Sequence, residues 1–243
     1  MRQHRFFIDQ PLSANSSIDL TADAARYVQQ VLRLKIGQHI TVFDGRGGEF
    51  DAVITGARKR LVSIDIGEHC AKEIESPLDI HLGQGMARSD RMDYAIQKAV
   101  ELGAQQLTPI GTHRSVTKLQ TERVGRRLKH WQSVATHAAE QCGRTRIPKI
   151  NAPTGLEHWT KTVEADLKLC MDPTAQRSLK DISLTGNRIA LLIGPEGGLT
   201  DDELASAKSA GFIGTHFGPR ILRTETATVV GLGAIQFAWG DLT

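Results

Sequence analysis

The 243-residue sequence lacks the cysteine and histidine patterns of disulfide frameworks and zinc sites. Its three cysteines, Cys70, Cys142 and Cys170, lie far apart and form no Cys-x-x-Cys pair. We therefore expect reduced thiols. The nine histidines are scattered, and no His-x-x-x-His spacing occurs among them. The sequence thus predicts no catalytic metal.

Long apolar runs are also missing. No stretch is long enough to cross a bilayer, and the first residues, Met1 to Phe7, contain no signal-peptide core. We therefore expect a cytoplasmic protein with no membrane partner. The length allows one large or two smaller globular domains, and the sequence contains no internal repeat.

The net charge of +3 says little by itself, but the basic residues are clustered. Nine of them lie between positions 112 and 150, with only two acids among them. The basic residues are Arg114, Lys118, Arg123, Arg126, Arg127, Lys129, Arg144, Arg146 and Lys149. Such a cluster fits contacts with nucleic-acid phosphates, and it equally fits a solvated helix face followed by a basic loop.

The pattern of the chain changes near Pro77. Before it, short strand-like runs alternate with turns, and one helix is predicted from about 22 to 31. The runs are 39–44, 49–54 and 61–66. They predict a small β-rich barrel over residues 1–72. From Leu78 onward strands and helices alternate, which predicts a mostly parallel sheet flanked by helices over residues 73–243.

Two Gly/Pro-rich turns near the C-terminus are the candidate ligand loops. The first, Gly194 to Gly198, follows the apolar run 189–193 and precedes a helix that Thr200 and Glu203 can cap reciprocally. The second, from Gly218 to Ala227, lies between a predicted strand at 212–217 and a helical apolar stripe. Ligands of α/β proteins bind at such strand ends. The two loops would lie side by side if their strands are neighbours.

The residues around the first turn argue against a phosphate ligand. The turn has neither a Gly-Lys-Ser/Thr ending nor a Gly-x-Gly-x-x-Gly fingerprint. The acidic residues Glu196, Asp201, Asp202 and Glu203 lie close to the amides that a phosphate would need. An anionic ligand is disfavoured, whereas a neutral or cationic ligand is not. The alternative is an ordinary strand-to-helix turn whose acids complement the helix dipole.

Four motifs together resemble one protein family. They are Ile193 to Gly198, Leu222 to Ala227, Gln97 to Gly103, and Glu140 to Arg144. The sequence is similar to the RsmE family, the small-subunit ribosomal RNA (uracil-N3) methyltransferases of the SPOUT superfamily. Arg5 to Phe7 and Val31 to Leu34 extend the resemblance over essentially the whole chain.

The resemblance implies a SPOUT-type α/β domain with a C-terminal trefoil knot, preceded by a PUA-like RNA-binding barrel. It implies a homodimer that uses S-adenosyl-L-methionine and acts on ribosomal RNA or the small ribosomal subunit. Three loops of the knot would hold the cofactor. Their predicted cofactor-binding residues are Cys170, Met171, Pro173, Leu192, Ile193, Gly194, Pro195, Glu196, Gly197, Gly198, Gly218, Ile221, Leu222, Thr224, Thr226 and Ala227.

The same resemblance suggests a mechanism. Arg223 would stabilise the uracil anion, and Glu225, or else Glu101 or Glu140, would accept the N3 proton. The predicted RNA contacts are Arg5, Arg33, Lys35, Arg88 and Arg144. Two other functions stay open: a non-catalytic RNA-binding assembly factor, and a ribose 2′-O methyltransferase.

Overall fold

The computed structural model describes residues 4–58, 61–115 and 121–242. Its contacts divide the chain into two compact units. The first unit contains the chain up to Glu75 together with Ala139–Ile147, and the second contains Ser76–Ala138 and everything from Pro148 onward. Lys118, one of the clustered basic residues, lies outside the described residues.

The first unit is built on a five-stranded sheet. Its strands are β1 (Arg5–Phe7), β2 (Ser16–Asp19), β3 (His39–Phe43), β4 (Glu49–Arg58) and β5 (Leu61–Cys70). They lie in the order β1-β3-β4-β5-β2, with β1 parallel to β3 and the other pairs antiparallel. Alternate residues of β4 and β5 are buried in one core, as expected when one face of a sheet is covered.

A short helical segment covers that core. It consists of α1 (Ala22–Arg26) and a π-helical turn, Tyr27–Val31, at the place where the sequence predicts a helix. Ala25 and Val28 are both fully buried among the residues of the sheet. The chain leaves the turn through Arg33, whose φ of +53° is uncommon for a residue with a side chain.

The second unit contains a parallel sheet, as the alternating pattern predicts. Its strands are β6 (Asp79–Gly85), β7 (Gln106–Gly111), β8 (Lys149–Ile150), β9 (Thr154–Gly155), β10 (Leu167–Met171), β11 (Arg188–Ile193) and β12 (Ile213–Thr215). The order is β12-β10-β11-β6-β7-β8, and β9 also pairs with β7. Every pair is parallel.

Helices cover both faces of this sheet. They are α2 (Ser89–Glu101), α3 (Thr121–Cys142), α4 (Leu156–Thr162), α5 (Asp201–Ser209) and α6 (Thr224–Trp239). Trp159 of α4 and Ala207 of α5 pack with Ala190 and Leu192 of β11. Gly231 of α6 instead approaches Leu191, which points to the opposite face of the strand. None of the described helices is long and apolar enough to span a bilayer.

Two details of the second unit do not follow from local patterns. The strands that carry the two Gly/Pro-rich turns, β11 and β12, are not neighbours, because β10 lies between them. The apolar stripe of α6 defines its buried side only in part: Leu232 and Ile235 are buried, but Phe237 is 74% exposed, and the buried side also contains Thr228 and Gly231. Since α6 is apolar almost all round, periodicity could not identify the face that packs.

Candidate active site

A cavity of about 390 Å³ opens at the carboxyl edge of the parallel sheet, within the second unit. Its walls are the loops that follow β10, β11 and β12, together with the first residues of α6. Because β10 separates the other two strands, the three loops surround one space at the end of the sheet. Strand ends of this kind are the usual ligand sites of α/β proteins, and the volume is in the range of small-molecule sites.

The Gly194 turn is shaped by close backbone approach and by a helix cap. A Cβ on Gly85 of β6 would lie 2.4 Å from the backbone nitrogen of Pro195, so the turn rests directly against that strand. Gly198 adopts a φ of +69°, which glycine allows at little cost. The predicted capping box is confirmed: Glu203 N donates to Thr200 Oγ1, and Thr200 N donates to the Glu203 carboxylate.

A buried hydrogen-bond network joins the two turns. Thr224 Oγ1 donates to the carbonyl of Gly194 at 2.7 Å and accepts from Gln84 Nε2 at 2.9 Å. Gln84 Oε1 in turn accepts from Thr228 Oγ1 at 2.7 Å. Gln84 and Thr228 are fully buried. The network fixes the start of α6 against the first turn, since leaving any of these groups unpaired would cost about 1–3 kcal/mol.

Most of the predicted cofactor-binding residues line this cavity. Those that do are Met171, Pro173, Ile193, Gly194, Pro195, Glu196, Gly197, Gly198, Gly218, Ile221, Leu222, Thr224 and Ala227. Cys170, Leu192 and Thr226 are not among the lining residues: Cys170 and Leu192 are buried in their strands, and Thr226 is exposed on α6. Burial, with a smaller contribution from the carboxylate of Asp172, raises the pKa of the Cys170 thiol to about 12.

Several lining residues were not predicted. Arg114, which follows β7, donates from Nη1 to the Gly197 carbonyl at 3.0 Å and to the Leu199 carbonyl at 3.4 Å. Thr215, His216 and Phe217 also line the cavity. The last three lie at the carboxyl end of the predicted 212–217 strand, and that position could have identified them. The two Gly/Pro-rich turns gave no signal for Arg114, because this residue follows β7 and not one of the strands that carry those turns.

The cavity contains charges of both signs. Asp172, Glu196 and Asp201 supply carboxylates, whereas Arg114 and Arg220 supply guanidinium groups. Glu203 does not line the cavity, because its carboxylate caps α5 and accepts from His113 N at 2.8 Å. The lining is therefore less acidic than the sequence pattern predicts, and it suits a ligand that carries both charges.

The two predicted catalytic residues lie at the start of α6, beside the cavity. Arg223 is its N-cap residue and is exposed to solvent, between Leu222 and Thr224 of the cavity wall. The Glu225 side chain is 18% exposed, and its Oε2 is buried without a hydrogen-bond partner among the described residues. A buried acceptor without a partner is rare in folded proteins.

The two alternative proton acceptors are engaged elsewhere. Both carboxylate oxygens of Glu101 accept from Lys98 Nζ at 2.7 Å. Glu140, in the first unit, accepts from the backbone nitrogen of Phe7 at 2.9 Å. Neither residue lines the cavity. Of the three candidate acceptors, Glu225 is therefore the one that adjoins the cavity wall.

The five predicted RNA contacts have different environments. Arg5 and Arg144, in the first unit, are almost buried and internally paired. Arg5 Nη2 lies 2.9 Å from Glu49 Oε2, and Arg144 Nη2 lies 2.6 Å from Glu75 Oε2. Arg33, Lys35 and Arg88 are exposed. The guanidinium groups of Arg5 and Arg144 are thus engaged within their unit, which does not fit the predicted RNA contacts.

Over the described residues, no three His, Cys, Asp or Glu side chains come together in a group that could hold a metal ion.

Comparison with protein families gives two matches. Residues 74–236 match the model of the RNA methyltransferase domain, and residues 20–67 match that of the RNA methyltransferase PUA domain. The chain is also 34% identical, over 98% of its length and 94% of the relative, to ribosomal RNA small subunit methyltransferase E of Buchnera aphidicola from Acyrthosiphon pisum.

Two solved structures are similar over their whole length. One is a methyltransferase of Legionella pneumophila in complex with its cofactor SAM (TM-score 0.97, 34% identity, 100% of both chains). The other is ribosomal RNA small subunit methyltransferase E of Neisseria gonorrhoeae bound to S-adenosyl methionine (TM-score 0.93, 34% identity, 100% of both chains). The chain therefore belongs to the RNA methyltransferase family of ribosomal RNA small subunit methyltransferase E.

Proposed function

We propose that this protein methylates N3 of a uridine in small-subunit ribosomal RNA with S-adenosyl-L-methionine as methyl donor. The observation that carries the proposal is the cavity formed by the three loops after β10, β11 and β12 in a chain of this family. The exposed Arg223 and the partly buried Glu225 adjoin this cavity at the start of α6.

The residues present fit the methyl donor. S-adenosyl-L-methionine carries a sulfonium, an ammonium and a carboxylate, but no phosphate. Asp172, Glu196 and Asp201 suit the two cations, and Arg114 and Arg220 suit the carboxylate. When bound, the cofactor supplies the electrophilic methyl group.

The protein's own task is to prepare the acceptor base. Uracil N3 carries a proton and cannot attack until that proton leaves. In our proposal Glu225 accepts it, and Arg223 stabilises the negative charge that develops on the neighbouring carbonyl oxygens. Because N3–H lies on the Watson–Crick edge, the target base must be unpaired.

The finer features of the family stay part of this proposal. We propose that the C-terminal segment is knotted and that two copies of the chain form the active enzyme in the cytoplasm. Ile221, which lines the cavity and is 86% exposed, supports a partner surface at the cavity, and Phe237 in the last turn of α6 adds a second exposed apolar side chain at 74%. We also propose that the division between the two domains lies near residue 72. For Arg5 and Arg144 we propose that they stabilise the first unit through their pairs with Glu49 and Glu75.

Mass spectrometry of nucleosides tests this function directly. Small subunits from cells that lack the enzyme would be incubated with the protein and isotope-labelled cofactor, and the ribosomal RNA digested to nucleosides. We expect label in 3-methyluridine. Label in a 2′-O-methylated ribose would identify a different methyltransferase, and cofactor binding without any label would indicate an assembly factor.

A further inference from the structure

The start of α6 is tied to the Gly194 turn by a charged link that the mechanism above does not use. Arg91 of α2 lies between Glu196 of that turn and Glu225 of α6. Its Nη1 is 3.6 Å from Glu196 Oε1, and its Nε is 3.9 Å from Glu225 Oε1. These are ion-pair distances. One guanidinium therefore contacts carboxylates from two separate walls of the site.

The two carboxylates depend on Arg91 to different degrees. Glu196 Oε1 also accepts from the backbone nitrogen of Arg88 at 3.0 Å. For Glu225, Arg91 is the cation found within ion-pair distance among the described residues. The second oxygen of each carboxylate is buried and has no hydrogen-bond partner in the described chain. Loss of Arg91 would thus leave Glu225 free to turn, while Glu196 would keep one contact.

We propose that Arg91 is a positioning residue, which joins the cofactor turn to the first turn of α6 and so orients Glu225 to accept the uracil proton. This inference rests on the role proposed for Glu225. Arg91 is 30% exposed and lies on a helix that packs against α6, so its position is set by the fold. A planar guanidinium can contact two carboxylates in different directions, whereas a lysine ammonium cannot reproduce that geometry.

The first test is the variant Arg91→Lys, which keeps the charge. We expect kcat to fall about 10- to 100-fold, with the dissociation constant for S-adenosyl-L-methionine within about threefold of the original value, since Glu196 keeps its contact with Arg88. Calorimetry and single-turnover methyl transfer measure the two quantities. In Arg91→Gln, which removes the charge and shortens the side chain, kcat should fall at least as far.

Arg188 offers a matched control in the same unit. Its Nη2 lies 2.8 Å from Asp166 Oδ1 and its Nη1 lies 3.8 Å from Glu164 Oε2, so it also bridges two carboxylates. It does not line the cavity. Arg188→Lys should leave kcat unchanged. Thermal unfolding of all variants separates a loss of folding from a loss of positioning.

A double-mutant cycle decides whether Arg91 acts through Glu225. Glu225→Gln combined with Arg91→Lys should be no slower than Glu225→Gln alone. Three results would each overturn the inference. They are a double variant in which the losses of kcat from the two substitutions multiply, an unchanged kcat in Arg91→Lys, and an equal loss of kcat and cofactor affinity in Arg91→Lys. If Glu225→Gln alone keeps its full kcat, the role proposed for Glu225 is wrong. If Glu225→Gln is slow and Arg91→Lys is not, only the present inference is wrong.

Discussion

At the scale of single residues, the basic side chains differ in whether an acidic side chain is paired with them. Arg5 and Arg144 are basic, yet both are paired with glutamates in the first unit. Arg223 is exposed at the N-cap of α6, where the helix dipole already provides a positive potential. Residue type alone could not separate these roles, because the partner of each guanidinium comes from a distant part of the sequence.

Arg223→Ala is the most direct test at this scale. We expect methyl transfer to fall about 100- to 1,000-fold, the usual cost of removing a group that stabilises a developing oxyanion. Cofactor binding should persist, since Arg223 does not line the cavity. Calorimetry and single-turnover kinetics measure both. Transfer within a few-fold of the original rate would show that another group stabilises the anion.

At the scale of elements, strand ends and helix starts define the site. The sequence identified both Gly/Pro-rich turns and the capping box of α5. It did not identify the network through Gln84 and Thr228, because a single polar residue near the end of a strand or in the second turn of a helix forms no local pattern. Only the packing of β6 against α6 brings them together.

A second polar cluster lies between β6, β7 and α4. His81 Nε2 is 2.8 Å from Thr108 Oγ1 and 3.4 Å from Trp159 Nε1. Burial, with a smaller contribution from Lys149, lowers the pKa of His81 to about 4. The folded protein therefore keeps this histidine neutral at a pH where the unfolded chain would protonate it.

This cluster predicts an acid-dependent loss of stability. Because the pKa of His81 is lower in the folded state, its contribution is full above about pH 6.5 and is lost as the pH falls toward 4. We expect the free energy of unfolding to drop by about 1–2 kcal/mol between pH 7 and pH 5. Urea unfolding measures it. In His81→Gln the drop should be smaller by that amount; an equal drop would assign it to other groups.

At the scale of the whole molecule, positive charge is distributed unevenly. Arg33 and Lys35 are exposed in the first unit, after the π-helical turn, and the backbone of Arg33 is in the left-handed region. Such uncommon conformations cluster at functional positions, because the surrounding structure must offset their cost. This segment is our candidate RNA contact of the PUA-like domain.

Replacement of Arg33 and Lys35 by alanine should weaken RNA binding. If both contact phosphates, the slope of log affinity against log salt should become less steep by about 1.4–1.8. Filter binding of a small-subunit RNA fragment at several salt concentrations measures this. Arg5 and Arg144 are unsuitable controls, because their removal would break pairs within the unit. An unchanged slope would exclude this segment from the RNA contact.

The sequence by itself determined the two kinds of domain, the parallel sheet, the candidate ligand turns and the family, because these depend on local patterns: apolar periodicity, glycine and proline at turns, and helix caps. Tertiary structure decided the rest. It put β10 between the strands of the two turns and added Arg114 and His216 to the cavity. It also brought Arg91 between Glu196 and Glu225. These contacts join residues far apart in the chain, and the order of strands, which fixes them, is not encoded in any local pattern.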